Sequence, residues 1–236
     1  MFYKIERSLH VFDIFIQPNC PKIRLDYRIN ESMEFGMKTV LAIFSSLSGS
    51  QGNSSKLANE YLSKIESNDS VRVNRVDVAE LALPHLTGEE MQAWMTEASE
   101  RNESQHALAK ISDDIVEAVK AADEIVLAVP MYNFGIPSSL KAYFDRIARA
   151  GVTFKYTETG PVGLLENKSA TVFAARGGVY AGSDFDTQTP YLKHFLNFVG
   201  ISDVKFVYAE GLNMGEEQAN KAFAEASEKI IELTND

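Results

Sequence analysis

The chain has one cysteine, Cys20, in 236 residues. A lone thiol excludes an intrachain disulfide, an iron–sulfur cluster held by this chain's thiolates alone, and a CxxC redox pair. Any redox chemistry must then reside in a bound cofactor. Histidine is scarce as well. His10, His85, His106 and His194 show none of the close spacings of a zinc site, so no metal is expected. No apolar run approaches the roughly 18 residues that span a bilayer. The segment Val11-Phe12-Asp13-Ile14-Phe15-Ile16 is too short for a signal peptide and carries a charge. The expected setting is the cytoplasm, away from any membrane. Positive charge is in deficit, with 33 acids against 23 bases and a formal net charge of -10. No basic stripe interleaved with aromatics offsets it, which argues against nucleic acid and for small-molecule partners. Neither GxGxxG nor a Walker loop occurs.

What is present is an ordinary globular composition, 45% hydrophobic and 24% charged, enough for a sizeable core. From Met37 onward, strand and helix patterns alternate. Short apolar or alternating runs predict strands at 38–44, 71–77, 124–129, 169–174 and 204–209. Between and after them, helices are expected at 54–65, across most of 83–120, and at 138–150, 190–199 and 216–233. Pro137 suits the first turn of the third of these and Gly151 its end, while Gly200 closes the fourth. Five strands separated by helices predict an α/β fold, a flavodoxin-like doubly wound five-stranded parallel sheet with helices on both faces. The long interval between the second and third strands is the natural place for an insertion that shapes a substrate pocket or a subunit contact.

Residues 1–36 break from this pattern. They hold Pro18, Cys20 and Pro21, and their five bases balance five acids, so the whole net charge falls on 37–236. The functional domain is expected to occupy 37–236. Residues 1–36 are then an amino-terminal extension without fixed structure or a misassigned start, and a cover strand or helix packed on the domain is the alternative.

Three loops at strand ends could carry chemistry. Ser45 to Asn53 is rich in serine and glycine and runs into a helix amino terminus, where free amides and the helix dipole favour a phosphate, an ordinary serine-rich cap being the alternative. After the third strand, Met131, Tyr132 and Phe134 offer flat or soft apolar surface, and Asn133 offers an amide for the pyrimidine edge of an isoalloxazine, with plugging of the core the alternative for these side chains. After the fourth, Gly177 and Gly178 permit close backbone approach. Arg176 could balance negative charge on a reduced flavin or on substrate, or form a surface salt bridge to Asp184 or Asp145. Together the loops suggest flavin mononucleotide.

From Met37 to near the end, the chain resembles the FMN-dependent NADH-azoreductases, a quinone-reducing flavodoxin-like family. The resemblance rests on Pro-Met-Tyr-Asn-Phe at 130–134, Ala148-Arg149-Ala150-Gly151-Val152-Thr153-Phe154-Lys155-Tyr156-Thr157, Arg176-Gly177-Gly178, and Gly200-Ile201-Ser202-Asp203-Val204-Lys205-Phe206-Val207. It implies FMN contacts at Ser46, Gly52, Asn53 and Ser54, at Met131, Tyr132, Asn133 and Phe134, and at Ala175, Arg176, Gly177 and Gly178. Gly52 and Ala175 stand where family members often place serine, so their contacts would be through backbone only. The resemblance further implies NADH as electron donor, quinones and azo compounds as acceptors in a ping-pong sequence, and a homodimer with a flavin near each subunit boundary. Phe154 and Tyr156 would cover that flavin in a substrate pocket, with core packing the alternative for Phe154. No side chain is assigned as an obligatory acid or base. The rivals are a flavodoxin-type electron carrier and a nucleotide-binding regulator without flavin.

Overall fold

The computed structural model describes residues 12–14, 23–25 and 36–235. Within the first 36 residues, β1 (Phe12–Ile14) pairs antiparallel with β2 (Ile23–Leu25). The expectations for the remainder of that segment lie outside the described residues.

Five strands build the main sheet: β3 (Lys38–Phe44), β4 (Val71–Asp77), β5 (Glu124–Pro130), β8 (Ser169–Ala175) and β9 (Asp203–Ala209). Their spatial order is β4-β3-β5-β8-β9 and every pairing is parallel. The central strand β5 is buried along its whole length, as a strand covered on both faces must be. The edges, β4 and β9, carry Arg72, Asn74, Arg75, Asp203 and Lys205, which suits rows that border solvent.

Alternation along β3 divides the core. Val40, Ala42 and Phe44 face α1 (Asn53–Ile65) and α6 (Glu216–Asn235), packing on Leu57, Tyr61, Leu62, Ala226 and Ile230. Leu41 and Ile43 belong to the opposite layer. That layer is built with α3 (Glu103–Ala121), α4 (Ser138–Ile147) and α5 (Gln188–Val199) through Ile115, Tyr143, Phe144 and Leu196. The chain leaves β3 toward one face and β5 toward the other, which opens a crevice at their carboxyl ends.

Two expected helices differ. The 83–120 stretch is not continuous. Residues 83–87 are not helical, α2 runs Gly88–Met95, and α3 starts after a short 3-10 turn at Ala98–Glu100. Caps impose the breaks. Thr87 Oγ1 accepts the Glu90 N–H, and Asn102 with Gln105 forms a reciprocal capping box. This insertion is fastened to α4 by a buried two-pronged pair, with Arg146 Nε to Glu90 Oε1 at 2.6 Å and Arg146 Nη2 to Glu90 Oε2 at 2.7 Å.

The helix expected at 138–150 ends at Ile147, because the Thr153 hydroxyl donates to the Ile147 carbonyl and accepts the Arg149 N–H. Pro137 is its amino cap rather than part of its first turn, and Gly151 turns at φ 78° toward a hairpin. That hairpin pairs β6 (Phe154–Thr157) with β7 (Gly160–Gly163). It docks where α5 ends. A Cβ on Gly163 would stand 2.1 Å from the Gly200 nitrogen, and Leu165 N–H donates to the Val199 carbonyl. Gly200, the left-handed cap of α5 at φ 108°, leads into the first residue of β9, so the hairpin sits at the amino edge of the sheet.

Candidate functional site

The loops after β3, β5 and β8 meet at the carboxyl edge and are bonded to one another. Ser45 Oγ donates to the Ala128 carbonyl at 2.8 Å, Leu47 N–H to the Tyr132 hydroxyl at 3.1 Å, and Met131 N–H to the Ala175 carbonyl at 3.0 Å.

The first loop ends in an open helix terminus. Gly52 caps α1 without a side-chain hydrogen bond, and the first helical bond runs from Lys56 N–H to the Gly52 carbonyl. The amides of Asn53, Ser54 and Ser55 therefore precede the helical ladder. In the same turn the Ser54 and Ser55 hydroxyls are fully buried and have no hydrogen-bond partner among the described residues. Such groups are costly to leave unpaired, and amides plus hydroxyls at a helix amino end are the donor set of an anion site. Ser46 Oγ accepts the Ser48 N–H, and a Cβ on Gly52 would lie 2.2 Å from that oxygen. With Ser46 in this position, residue 52 can carry no side chain.

The second loop is a tight turn, Tyr132 and Gly135 exchanging both backbone hydrogen bonds at 3.0 Å. Its central residues, Asn133 at φ 48° and Phe134 at φ 65°, are both left-handed, an uncommon arrangement for a non-glycine pair. Asn133 is exposed and Phe134 is 52% exposed, its ring edge-on to Tyr180 at 5.8 Å. These two side chains stand at the mouth rather than in the core.

The third loop corrects the expectation for Arg176. Its guanidinium does not face the mouth or form a surface bridge to Asp184 or Asp145. It is 1% exposed and donates to Gln188 Oε1 (3.0 Å), both Asp186 oxygens (3.1 and 3.2 Å), Glu210 Oε1 (2.9 Å) and Thr189 Oγ1 (2.8 Å). With all five N–H groups engaged it has no donor left for a ligand. Tyr208 lies beneath it at 4.8 Å. Burial pushes the Asp186 carboxyl up, but hydrogen bonds from Thr189 and Arg176 outweigh that and hold it below its ordinary value. Glu210 also accepts the amides of Tyr180 and Ala181, so the network clamps the glycine loop from below. Ala175 is buried, whereas Gly177 and Gly178 are partly exposed. A Cβ on Gly177 would meet Asn213 Nδ2 at 2.6 Å.

Beside Phe134 lies a cavity of about 580 Å³. Phe134, Ile136 and Tyr191 give it apolar walls, with His85 and Leu86 closing it from the insertion. Lys141, ion-paired to Asp145, lies at its polar side. Burial and the Asp145 carboxylate push the Tyr191 phenol up to about 12, so it keeps its proton in the physiological range. None of these neighbours beyond Phe134 was expected as a pocket residue. A polar side chain on the inner turn of a helix has no signature in linear spacing.

Phe154 and Tyr156, the expected pocket residues, are elsewhere in the chain. Phe154 is buried against Phe198 at 4.3 Å, and Tyr156, 73% exposed, is on the hairpin at the opposite edge of the sheet. Within one chain they do not join the three loops.

This crevice at a parallel-sheet switch point is that of a flavodoxin-like protein, and a family profile described as flavodoxin-like fold matches residues 38–233. The chain belongs to that family. It is 92% identical over 198 residues to an FMN-dependent NADH:quinone oxidoreductase of Alteromonas mediterranea, covering 84% of this chain and 99% of that protein. Identity is 55% over 195 residues with a protein of the same description from Cellvibrio japonicus, covering 82% and 97%. Among solved structures, an FMN-dependent NADH-azoreductase from Bacillus anthracis in complex with FMN superposes with a TM-score of 0.73 at 28% identity, covering 84% of this chain and 99% of that one. A further azoreductase from the same species gives 0.77 at 27%, with the same coverage.

Proposed function

We propose that the chain is an FMN-dependent oxidoreductase that passes reducing equivalents from NADH to quinones and azo compounds. One observation carries this reading. The uncapped end of α1 with its unpaired buried hydroxyls, the left-handed Tyr132–Gly135 turn and the Gly177-Gly178 backbone converge at one edge of the sheet.

The residues present suit the cofactor. Asn53, Ser54 and Ser55 would hold the phosphate through amides and hydroxyls, with Ser46 and Gly52 shaping that cradle. Met131, Tyr132, Asn133 and Phe134 would border the ring, and Ala175, Arg176, Gly177 and Gly178 would approach it through backbone. When bound, FMN supplies two-electron chemistry between donor and acceptor. The chain binds, orients and excludes water. Phe134 forms a wall of the adjacent cavity, whose volume of about 580 Å³ suits a nicotinamide or a quinone in turn, which supports a ping-pong sequence. That space favours an enzyme over an electron carrier. Tyr191 stays protonated as a hydrogen-bond donor, and protons are drawn from water. Cleavage of an azo bond to amines consumes two such rounds.

Tyr156 can cover a flavin only across a subunit boundary, which is the role we give it in a homodimer, whereas Phe154, packed on Phe198, serves the core. A single cysteine suits the reducing cytoplasm. The test is FMN titration of the purified chain by flavin fluorescence, then NADH addition under argon, then initial rates with a benzoquinone and an azo dye. Quenching at one FMN per chain, bleaching by NADH and parallel double-reciprocal lines are expected. A colourless protein that leaves FMN fluorescence unchanged overturns the reading, and light scattering of a monomer overturns the homodimer.

A further inference from the structure

Gln188, the first residue of α5, is wholly buried, and its amide is used at both ends. Oε1 accepts Arg176 Nε at 3.0 Å, while Nε2 donates to the Pro130 carbonyl at 3.0 Å and the Gly135 carbonyl at 3.4 Å. The guanidinium is a donor only, which fixes the amide's orientation and aims its N–H groups at the second loop. Next to it, exposed Thr187 donates its hydroxyl to the Phe134 carbonyl. Three carbonyls of the segment 130–135 are thus held by two consecutive residues, and Arg176 is itself immobilised by Asp186 and Glu210. The segment needs such support, because Asn133 and Phe134 both occupy left-handed backbone.

We propose that Thr187 and Gln188 are positioning residues that preset the Pro130–Gly135 turn for the flavin ring and for the acceptor beside Phe134. The proposal rests on the reading that this turn faces FMN. Gln188 is buried behind the turn, and Thr187, although it borders the cavity, spends its hydroxyl on the Phe134 carbonyl. They fix the carbonyls behind Asn133 and Phe134, so the turn does not have to be ordered when the ligand binds.

Two pairs of variants in the full chain test this. T187V removes the exposed hydroxyl without disturbing the core, and T187S restores it. Q188E keeps an acceptor for Arg176 but sets a carboxylate against Pro130 and Gly135, and Q188M removes both ends. FMN dissociation constants, the visible spectrum of bound FMN, KM and kcat for a benzoquinone, and melting of the cofactor-free protein are read for each. T187V should weaken FMN binding about tenfold, the effect of one lost hydrogen bond to a carbonyl. It should also shift the flavin absorbance and raise KM more than it lowers kcat, while T187S returns to parental values. Q188E should weaken binding at least as much as Q188M, since repulsion is added to loss. Parental FMN affinity and spectrum in T187V overturn the proposal, as does a T187S variant no better than T187V. If Q188E and Q188M fail to fold, the Thr187 pair still decides. A parent protein that binds no FMN overturns the functional reading instead, and the two failures are thereby distinguished.

Discussion

Replacing Arg176 with methionine tests whether this arginine serves the fold or the chemistry. The substitution keeps side-chain length but removes five hydrogen bonds and the counter-charge of two carboxylates, Asp186 and Glu210. Asp186 has 6% of its side chain exposed and Glu210 13%, so neither can recover full hydration in place. Removing one partner of a buried ion pair costs about 3–5 kcal/mol. For a folded unit of this size, about 2–4 °C of melting temperature corresponds to each kcal/mol, a loss of about 6–20 °C. Melting of the cofactor-free protein followed by circular dichroism separates this from lost ligand. The pH dependence has a definite sign. Asp186 is held below its ordinary value of 3.8, so its contribution is present above that value and fades as pH falls through the depressed one. In the variant, burial acts on Asp186 without the arginine and protonation relieves the penalty. The stability gap between parent and variant should therefore narrow from about pH 7 to about pH 4. Melting within about 2 °C of the parent, or a gap that widens on acidification, would refute the reasoning. A turnover defect at unchanged stability would return Arg176 to the charge-balancing role its sequence position suggested.

Three further outcomes are expected. Ser54→Ala should leave the cofactor-free protein as stable as the parent or slightly more so, because the lost hydroxyl has no partner. It should weaken FMN, by about 1–2 kcal/mol, more than it weakens riboflavin, and an equal loss for both ligands in fluorescence titration would place Ser54 away from the phosphate. At position 133, glycine tolerates the left-handed backbone and alanine strains it. Asn133→Gly therefore isolates the amide and should raise the FMN dissociation constant about tenfold at unchanged melting temperature, whereas an unchanged constant would make Asn133 a turn residue only. A chain beginning at Met37 should match the full chain in FMN content and melting, and an insoluble or colourless shortened protein would show that residues 1–36 pack on the domain.

The sequence by itself determined the sheet. Its five strands are continuous apolar or alternating runs. Helix ends carried by Gly200 and by the glycine-serine run before Asn53 were legible for the same reason, since caps are local chemistry. Position along the chain also marked the three loops, because each follows a strand. Side-chain destiny was decided only in three dimensions. Arg176 reads as a free cation beside two glycines, and only packing surrounds it with Asp186, Gln188, Thr189 and Glu210, residues 10 to 34 positions away. The breaks in 83–120 were written in Thr87 and in Asn102 with Gln105, but helical periodicity on either side masked them. Phe154 and Tyr156 are close in sequence to α4, whose amino end borders the mouth, yet the helix carries the chain across the sheet and delivers them to its far edge. Local spacing fixes the conformation of each segment. Which distant segments share a buried polar network, and which edge a loop reaches, depend on topology, and topology is a property of the packed chain.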